Sequence, residues 1–255
     1  MAGLLEGKIA LITGTGRGQG RAAALAFTAE GATVVGCEMN VEDQAETVRL
    51  VEAAGRKIDS EAPLDLLDPE SNKRWIDQAA ERHGGIDILY NNAALTRMAW
   101  ISDMSLEDFQ FTIRAEIDLV FLATQAAWPH LVARGGGVII NVASLAGMFG
   151  SPVTPMGAHC AGKAAVIGFT RQVAAEGAQH GIRAVCISPG PIATPATMAT
   201  RASAPEREER IINRTLLRRW GSPEEIVDVA LFMASDKASF ITGANIPVDG
   251  GRHAV

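Results

Sequence analysis

Cysteine is scarce: Cys37, Cys160 and Cys186 are the only three in 255 residues. Their wide separation gives neither a disulfide framework nor a metal-ligand spacing, so reduced thiols in a cytoplasmic protein are expected. Tyrosine is scarcer, with Tyr90 alone. A basic surplus is also missing. The 23 Lys and Arg stand against 29 Asp and Glu, a formal charge of −6, which offers no field for nucleic acid or an anionic membrane. No apolar run approaches the length of a bilayer span, and Met1–Gly7, which carries Glu6, lacks the pattern of a signal peptide. Low-complexity tracts, repeats and Pro/Ser-rich linkers are absent as well, so one domain spanning residues 1–255 is expected.

What is present is rhythm. Short β-rich apolar runs recur at Ile9–Thr13, Thr33–Cys37, Ile86–Tyr90, Val138–Val142 and Ile182–Ile187, with a weaker one at Ala244–Val248. Between them lie stretches with apolar residues every three or four positions, among them Arg21–Glu30, Val41–Ala54, Pro69–His83, Leu106–Ala133 and Pro155–Gln179. This alternation predicts an α/β fold, a doubly wound parallel sheet of Rossmann type with helices on both faces. Gly31, Gly55, Gly84, Gly135 and Gly181 fall where each helix must end. The one irregular region is about 189–220, with Pro189, Pro191, Pro195 and Pro205 and a charged stretch at Arg201–Arg210. It reads as a loop with a short helix, either a cover over a substrate site or a solvated connection.

The first strand–helix junction carries the most chemistry. Lys8 to Thr13 is an apolar strand that runs into Gly14-Thr15-Gly16-Arg17-Gly18-Gln19-Gly20 and then a helix starting near Arg17. Small residues let the backbone approach a pyrophosphate, and the helix start points free N–H groups at it. After the second strand, Glu38 stands where a dinucleotide fold meets the adenosine ribose. A carboxylate there accepts from ribose hydroxyls and repels a 2′-phosphate, which favours NAD over NADP. The alternatives are a solvated strand-end acid at Glu38 and a phosphate-binding Arg17.

The turn Thr13-Gly14-x-x-x-Gly18-x-Gly20 resembles the cofactor signature of the classical short-chain dehydrogenases/reductases. Further matches run along nearly the whole chain: Asp65, Asn91-Asn92-Ala93, Ser144, Lys163, Ser188-Pro189-Gly190 and Val248-Asp249-Gly250-Gly251. The resemblance implies that Asp65 and Leu66 border the adenine, Asn92 and Ala93 the nicotinamide-side ribose, and Pro189, Ile192 and Thr194 the carboxamide. It also implies a homotetramer or dimer assembled through Leu106–Ala133, Pro155–Gln179 and Ala244–Val255. Met98, Trp100, Met148, Phe149, Met156 and Met198 fall in or near segments the family uses to line its pocket, which implies an apolar or bulky small-molecule substrate.

The chain departs from the family at the catalytic motif, a tyrosine four residues before a lysine, preceded by a serine and by an asparagine on the earlier long helix. Ser144 and Lys163 match, but the tyrosine position reads His159 and the asparagine position falls on Glu116. Ala94 and Val185 are smaller departures, at positions where glycine and asparagine are common. His159 lies at i,i+4 from Lys163, so the two side chains are neighbours on one helix face. An imidazole donates or accepts a proton near neutrality, whereas a phenol needs the lysine charge to do so. That same charge disfavours an imidazolium, so His159 is expected to act as a base unless Glu116 compensates. Glu116 is alternatively an exposed helix acid paired with Arg114 or Arg134. His83, His130, His180 and His253 show no metal spacing.

Three functions stay open on these residues. The first is an NAD-dependent alcohol dehydrogenase or ketone reductase in which Ser144 holds the substrate oxygen, His159 relays its proton, Lys163 holds the ribose and Glu116 closes the relay to solvent. The second keeps NAD bound but uses His159 and Glu116 for non-redox lyase or epimerase chemistry. The third is a catalytically silent NAD-binding protein.

Overall fold

A computed structural model describes residues 2–202 and 205–254; the side chains of residues 200–208 lie outside the description. Ser203 and Ala204, within the charged stretch expected to form the cover, therefore lie outside the described residues. Seven strands form one parallel sheet in the order β3-β2-β1-β4-β5-β6-β7. They are β1 Ile9–Thr13, β2 Thr33–Cys37, β3 Asp59–Glu61, β4 Ile88–Asn91, β5 Gly137–Val142, β6 Ile182–Pro189 and β7 Asn245–Val248. The helices are α1 Gly18–Ala29, α2 Val41–Ala53, α3 Pro69–His83, α4 Leu106–Ile113, α5 Leu119–Ala133, α6 Gly157–Gly177, α7 Pro195–Ala202, α8 Pro205–Ile212 and α9 Pro223–Ala234. The single-domain Rossmann-like fold expected from the alternation is the fold observed.

Every residue of β1 is buried because the strand is covered on both faces. Alternate residues divide between two cores. Ala10 and Ile12 join Phe27 of α1 and Ile226, Ala230 and Leu231 of α9. Ile9 and Leu11 join Trp75 and Ile76 of α3, Ala123 and Ala127 of α5 and Val173 of α6. The order reverses between β1 and β4, opening a crevice at the carboxyl ends of these strands, where ligands of open α/β sheets bind. Asn92 and Ala93 hold this crevice in shape, because both backbone N–H groups donate to Thr13 Oγ1 at 3.0 Å.

Three features differ from the sequence expectation. The hydrophobic runs omit β3, since its residues Asp59–Glu61 are polar and half-buried at the sheet edge, held by backbone pairing to β2 and by ion pairs from Arg74, Arg82 and His83 of α3. The single helix expected over Leu106–Ala133 is α4 and α5 joined by a π-helical turn, Arg114–Asp118. The region 189–220 contains two helices, α7 and α8, where one short helix is expected. Among the described residues no helix is long and apolar enough to cross a membrane.

Candidate active site

The glycine turn after β1 is shaped for close approach. Gly14 and Gly18 adopt positive φ, +73° and +56°, which L side chains rarely adopt. A methyl group on Gly20 would overlap the carbonyl oxygen of Gly14, so only glycine lets α1 start this close to the strand end. Arg17 is the extended residue before α1 and its side chain does not cap the helix, which leaves the first N–H groups directed into the crevice. Gln19 Oε1 is buried without a protein partner among the described residues. Unpaired helix-start donors beside a bare glycine backbone suit a pyrophosphate.

The residues expected around that turn converge on it. Glu38 Oε2 accepts from Gly16 N at 3.0 Å and Oε1 from Met39 N at 2.8 Å, so the carboxylate is fixed beside the turn with lone pairs to spare. Arg17 instead pairs with Asp43 at 3.5 Å and its side chain is mostly exposed. Asp65 is exposed and accepts from Leu67 N, while Leu66 is buried, both just beyond β3 on the Glu38 side. Asn92 Nδ2 donates to the carbonyls of Thr13 and Gly14 at 3.0 and 3.2 Å. From the other side, the chain after Pro189 brings the buried Ile192 and then Thr194 against Gly18.

Ser144, Glu116, His159 and Lys163 come from three different elements. Ser144 follows β5 and its Oγ accepts from Ala146 N at 3.1 Å, opening a short turn, Leu145–Gly147. That turn lies against α6 because a methyl on Gly147 would stand 2.7 Å from the Lys163 carbonyl carbon. His159 and Lys163 lie one turn apart on α6. His159 Nδ1 contacts Glu116 Oε1, a contact that suits the tautomer in which Nδ1–H donates to the carboxylate. The exposed-acid alternative for Glu116 is overturned: the residue is 1% exposed, while Arg114 pairs with Asp118 and Arg134 with Asp87.

Two features missing from the sequence reading build this contact. The π-helical turn carries Glu116 and packs against α6, and such turns cluster at functional sites. Gly162 is the second, since a methyl there would overlap Glu116 Oε2. Behind them a buried polar ladder locks the elements together: Asn91 donates to Asn141 Oδ1 at 2.8 Å, and Asn141 donates to Thr170 Oγ1 of α6 at 2.9 Å. Lys163 is buried and donates to the Val142 carbonyl at 2.9 Å. Burial holds its ammonium below the usual lysine range, partly offset by Glu116 and Cys186.

Ser144 and His159 line a cavity of about 280 Å³ with Met98, Phe149 and Met156, three of the expected apolar residues. Trp100, Met148 and Met198 do not line it; Trp100 and Met148 are about half exposed instead. Trp220, Ile211 and Thr197 close it from the region 189–220. Tyr90 is far from any such role. It stacks on Phe27 in the core, and burial pushes its phenol well above the usual range. His83, His130 and His253 pair with Asp59, Asp77 and Asp249, and His180 packs on Trp128. No group of metal-binding side chains occurs among the described residues.

Known proteins share this architecture over the full chain. Residues 14–253 match the family profile described as enoyl-(acyl carrier protein) reductase. The chain is 38% identical to the 3-oxoacyl-(acyl-carrier-protein) reductase of Thermotoga maritima over 248 residues, 97% of this chain and 98% of that one. It is 37% identical to the 2-dehydro-3-deoxy-D-gluconate 5-dehydrogenase of Escherichia coli over 248 residues, 97% and 96% of the two chains. A 7α-hydroxysteroid dehydrogenase, solved with NADH and 7-oxo glycochenodeoxycholic acid, superposes with a TM-score of 0.92 at 31% identity, covering 98% and 96%. The chain thus belongs to the short-chain dehydrogenase/reductase family, oxidoreductases that use nicotinamide cofactors.

Proposed function

We propose that the chain is an NAD-dependent oxidoreductase of an alcohol or ketone in which His159, oriented by Glu116, takes the role of the family's tyrosine, Glu116 replacing its asparagine. The observation that carries this is the His159–Glu116 contact beside Ser144 and Lys163 at the end of an apolar cavity. Bound NAD supplies the hydride acceptor. Gly14, Gly18, Gln19 and Gly20 cradle the pyrophosphate, with Arg17 at its edge. Asp65 and Leu66 border the adenine, Asn92, Ala93 and Lys163 the second ribose, and Pro189, Ile192 and Thr194 the carboxamide.

Ser144 donates to the substrate oxygen. With the proton on Nδ1 held by Glu116, His159 Nε2 presents a lone pair and accepts the substrate hydroxyl proton. The Glu116 carboxylate then balances the imidazolium, the compensation that the Lys163 charge requires. The carboxylate in contact with the ring stabilises the imidazolium as well as the neutral ring, the compensation that the base assignment had set aside, so the contact serves proton transfer in either direction, alcohol oxidation or ketone reduction. From the region 189–220, Thr197, Ile211 and Trp220 cover the bound substrate.

Glu38 selects NAD. Calorimetry is expected to give tighter binding of NAD than NADP, and Glu38→Ala to narrow the difference, because the carboxylate fixed beside Gly16 repels a 2′-phosphate. Equal or tighter binding of NADP by the unmodified chain would overturn the assignment and turn attention to Arg17.

A homo-oligomer is proposed as well. Phe121 of α5 remains 44% exposed while meeting Phe169 of α6 edge-on, and Phe240 is fully exposed near the C-terminal segment. Light scattering is expected to return the mass of a dimer or tetramer. A monomer at micromolar concentration would contradict this.

The same dyad supports one other reading, non-redox acid/base chemistry on a ligand beside bound NAD, because a histidine with a buried carboxylate partner is a general base whatever the bond broken. Absorbance of NADH separates the two, since only the redox reading forms or consumes it.

A further inference from the structure

We propose that Arg214 and Arg252 form an anion-binding end of the substrate cavity, so that the substrate is an apolar molecule ending in a carboxylate or similar anion. The inference rests on the oxidoreductase reading for the reacting carbon alone; the anion site stands on its own geometry. Arg214 follows α8 and Arg252 opens the final short turn, Arg252–Ala254, so the two come from distant parts of the sequence. Both line the cavity that holds Ser144 and His159. The Arg252 guanidinium lies 5.3 Å from the centroid of the Phe149 ring, which holds it over the cavity wall.

Among the described residues neither charge has a carboxylate partner of its own. Asp249 is the acid with most influence on Arg252, but its oxygens are committed elsewhere. Oδ1 accepts from Gly251 N at 2.9 Å, and Oδ2 from His253 N at 2.7 Å and His253 Nδ1 at 2.9 Å. Among the described residues neither guanidinium has a carboxylate within salt-bridge distance, whereas nearby Arg219 grips both oxygens of Glu225 at 2.8 and 2.6 Å. Partial burial, and next to it the Arg214 charge, hold the Arg252 guanidinium below its usual range. Two like charges turned toward one apolar cavity are unfavourable until an anion sits between them. A guanidinium fork fits a carboxylate in two places at once, which gives direction as well as strength.

This arrangement would seat the substrate by both ends, its hydroxyl at Ser144 and His159 and its anion at the two arginines. It is separate from the discrimination between NAD and NADP, which lies across the crevice at Glu38. Calorimetry on the full chain with saturating NAD tests it, using octanoate, octyl sulfonate and the uncharged octanamide. Octanoate is expected to bind about 10- to 100-fold tighter than octanamide, with octyl sulfonate on the octanoate side of that gap. The gap closes in Arg214→Gln/Arg252→Gln and survives in Arg252→Lys. Unchanged octanamide and NAD affinities in the variants show that the fold and the apolar wall are intact. Equal binding of octanoate and octanamide, or a gap that persists in the double variant, would overturn the inference. An intact gap without redox turnover would count against the oxidoreductase reading alone; turnover of neutral ketones without a gap would count against the anion site alone.

Discussion

Replacing His159 by phenylalanine is expected to lower turnover about 100- to 10,000-fold, the usual scale for a positioned general base. NAD affinity should change little, because His159 belongs to the substrate cavity and Lys163, one turn further along α6, keeps its hydrogen bond to Val142. Steady-state kinetics and calorimetry read the two effects separately. The loss should fall on kcat rather than KM, since proton acceptance contributes in the transition state. Undiminished turnover in His159→Phe would show that His159 is not the catalytic base, and Tyr90, enclosed in the core, would not be its replacement. Combining His159→Tyr with Glu116→Asn restores the family pattern, and is expected to retain redox activity with a phenol in place of the imidazole.

Glu116→Gln is expected to lower kcat by about 100-fold or more, with KM and NAD affinity near their original values. A glutamine side chain can donate to Nδ1 as well as accept from it, which frees His159 to take the tautomer with its proton on Nε2. It also removes the charge that balances the imidazolium. Glu116→Asp should recover part of the loss, and the pH profile of kcat should move in Glu116→Gln. The stability readout separates positioning from mere packing. Glu116 is buried and its Oε2 has no partner among the described residues, an unfavourable state for a carboxylate. Removing the charge should leave the melting temperature unchanged or raise it while activity falls, the trade-off expected of a strained functional group. Gly162→Ala tests the same contact from the opposite helix: its methyl would displace Oε2, lowering kcat in the same way and costing about 1–3 kcal/mol of stability by overpacking.

Much of the fold is written locally. The run Ile9 to Thr13, the glycines after it and the helix that follows are contiguous, so strand, turn and helix can be read in order and the crevice located. The i,i+4 spacing of His159 and Lys163 is likewise a property of one helix. Strand β3 escaped because an edge strand held by backbone pairing needs no apolar alternation, and Asp59-Ser60-Glu61 has none. The π-helical turn escaped because one added residue per turn leaves almost no trace in a helical period. Gly162 reads as an ordinary small residue inside a helix; its purpose shows only when Glu116, forty-six positions earlier, is seen to fill the space a methyl would take. Arg214 and Arg252 escaped for the same reason. Charge in a tail and charge after a helix look like solvated surface until the fold turns them toward one cavity.

The most direct test of the central claim is the absorbance of NADH when the full chain and NAD are mixed with a panel of secondary alcohols, and NADH with the matching ketones. The redox reading predicts NADH formed from at least one alcohol, at a rate that collapses in His159→Phe while NAD binds as before. Tight NAD binding with no NADH formed or consumed across the whole panel would contradict it.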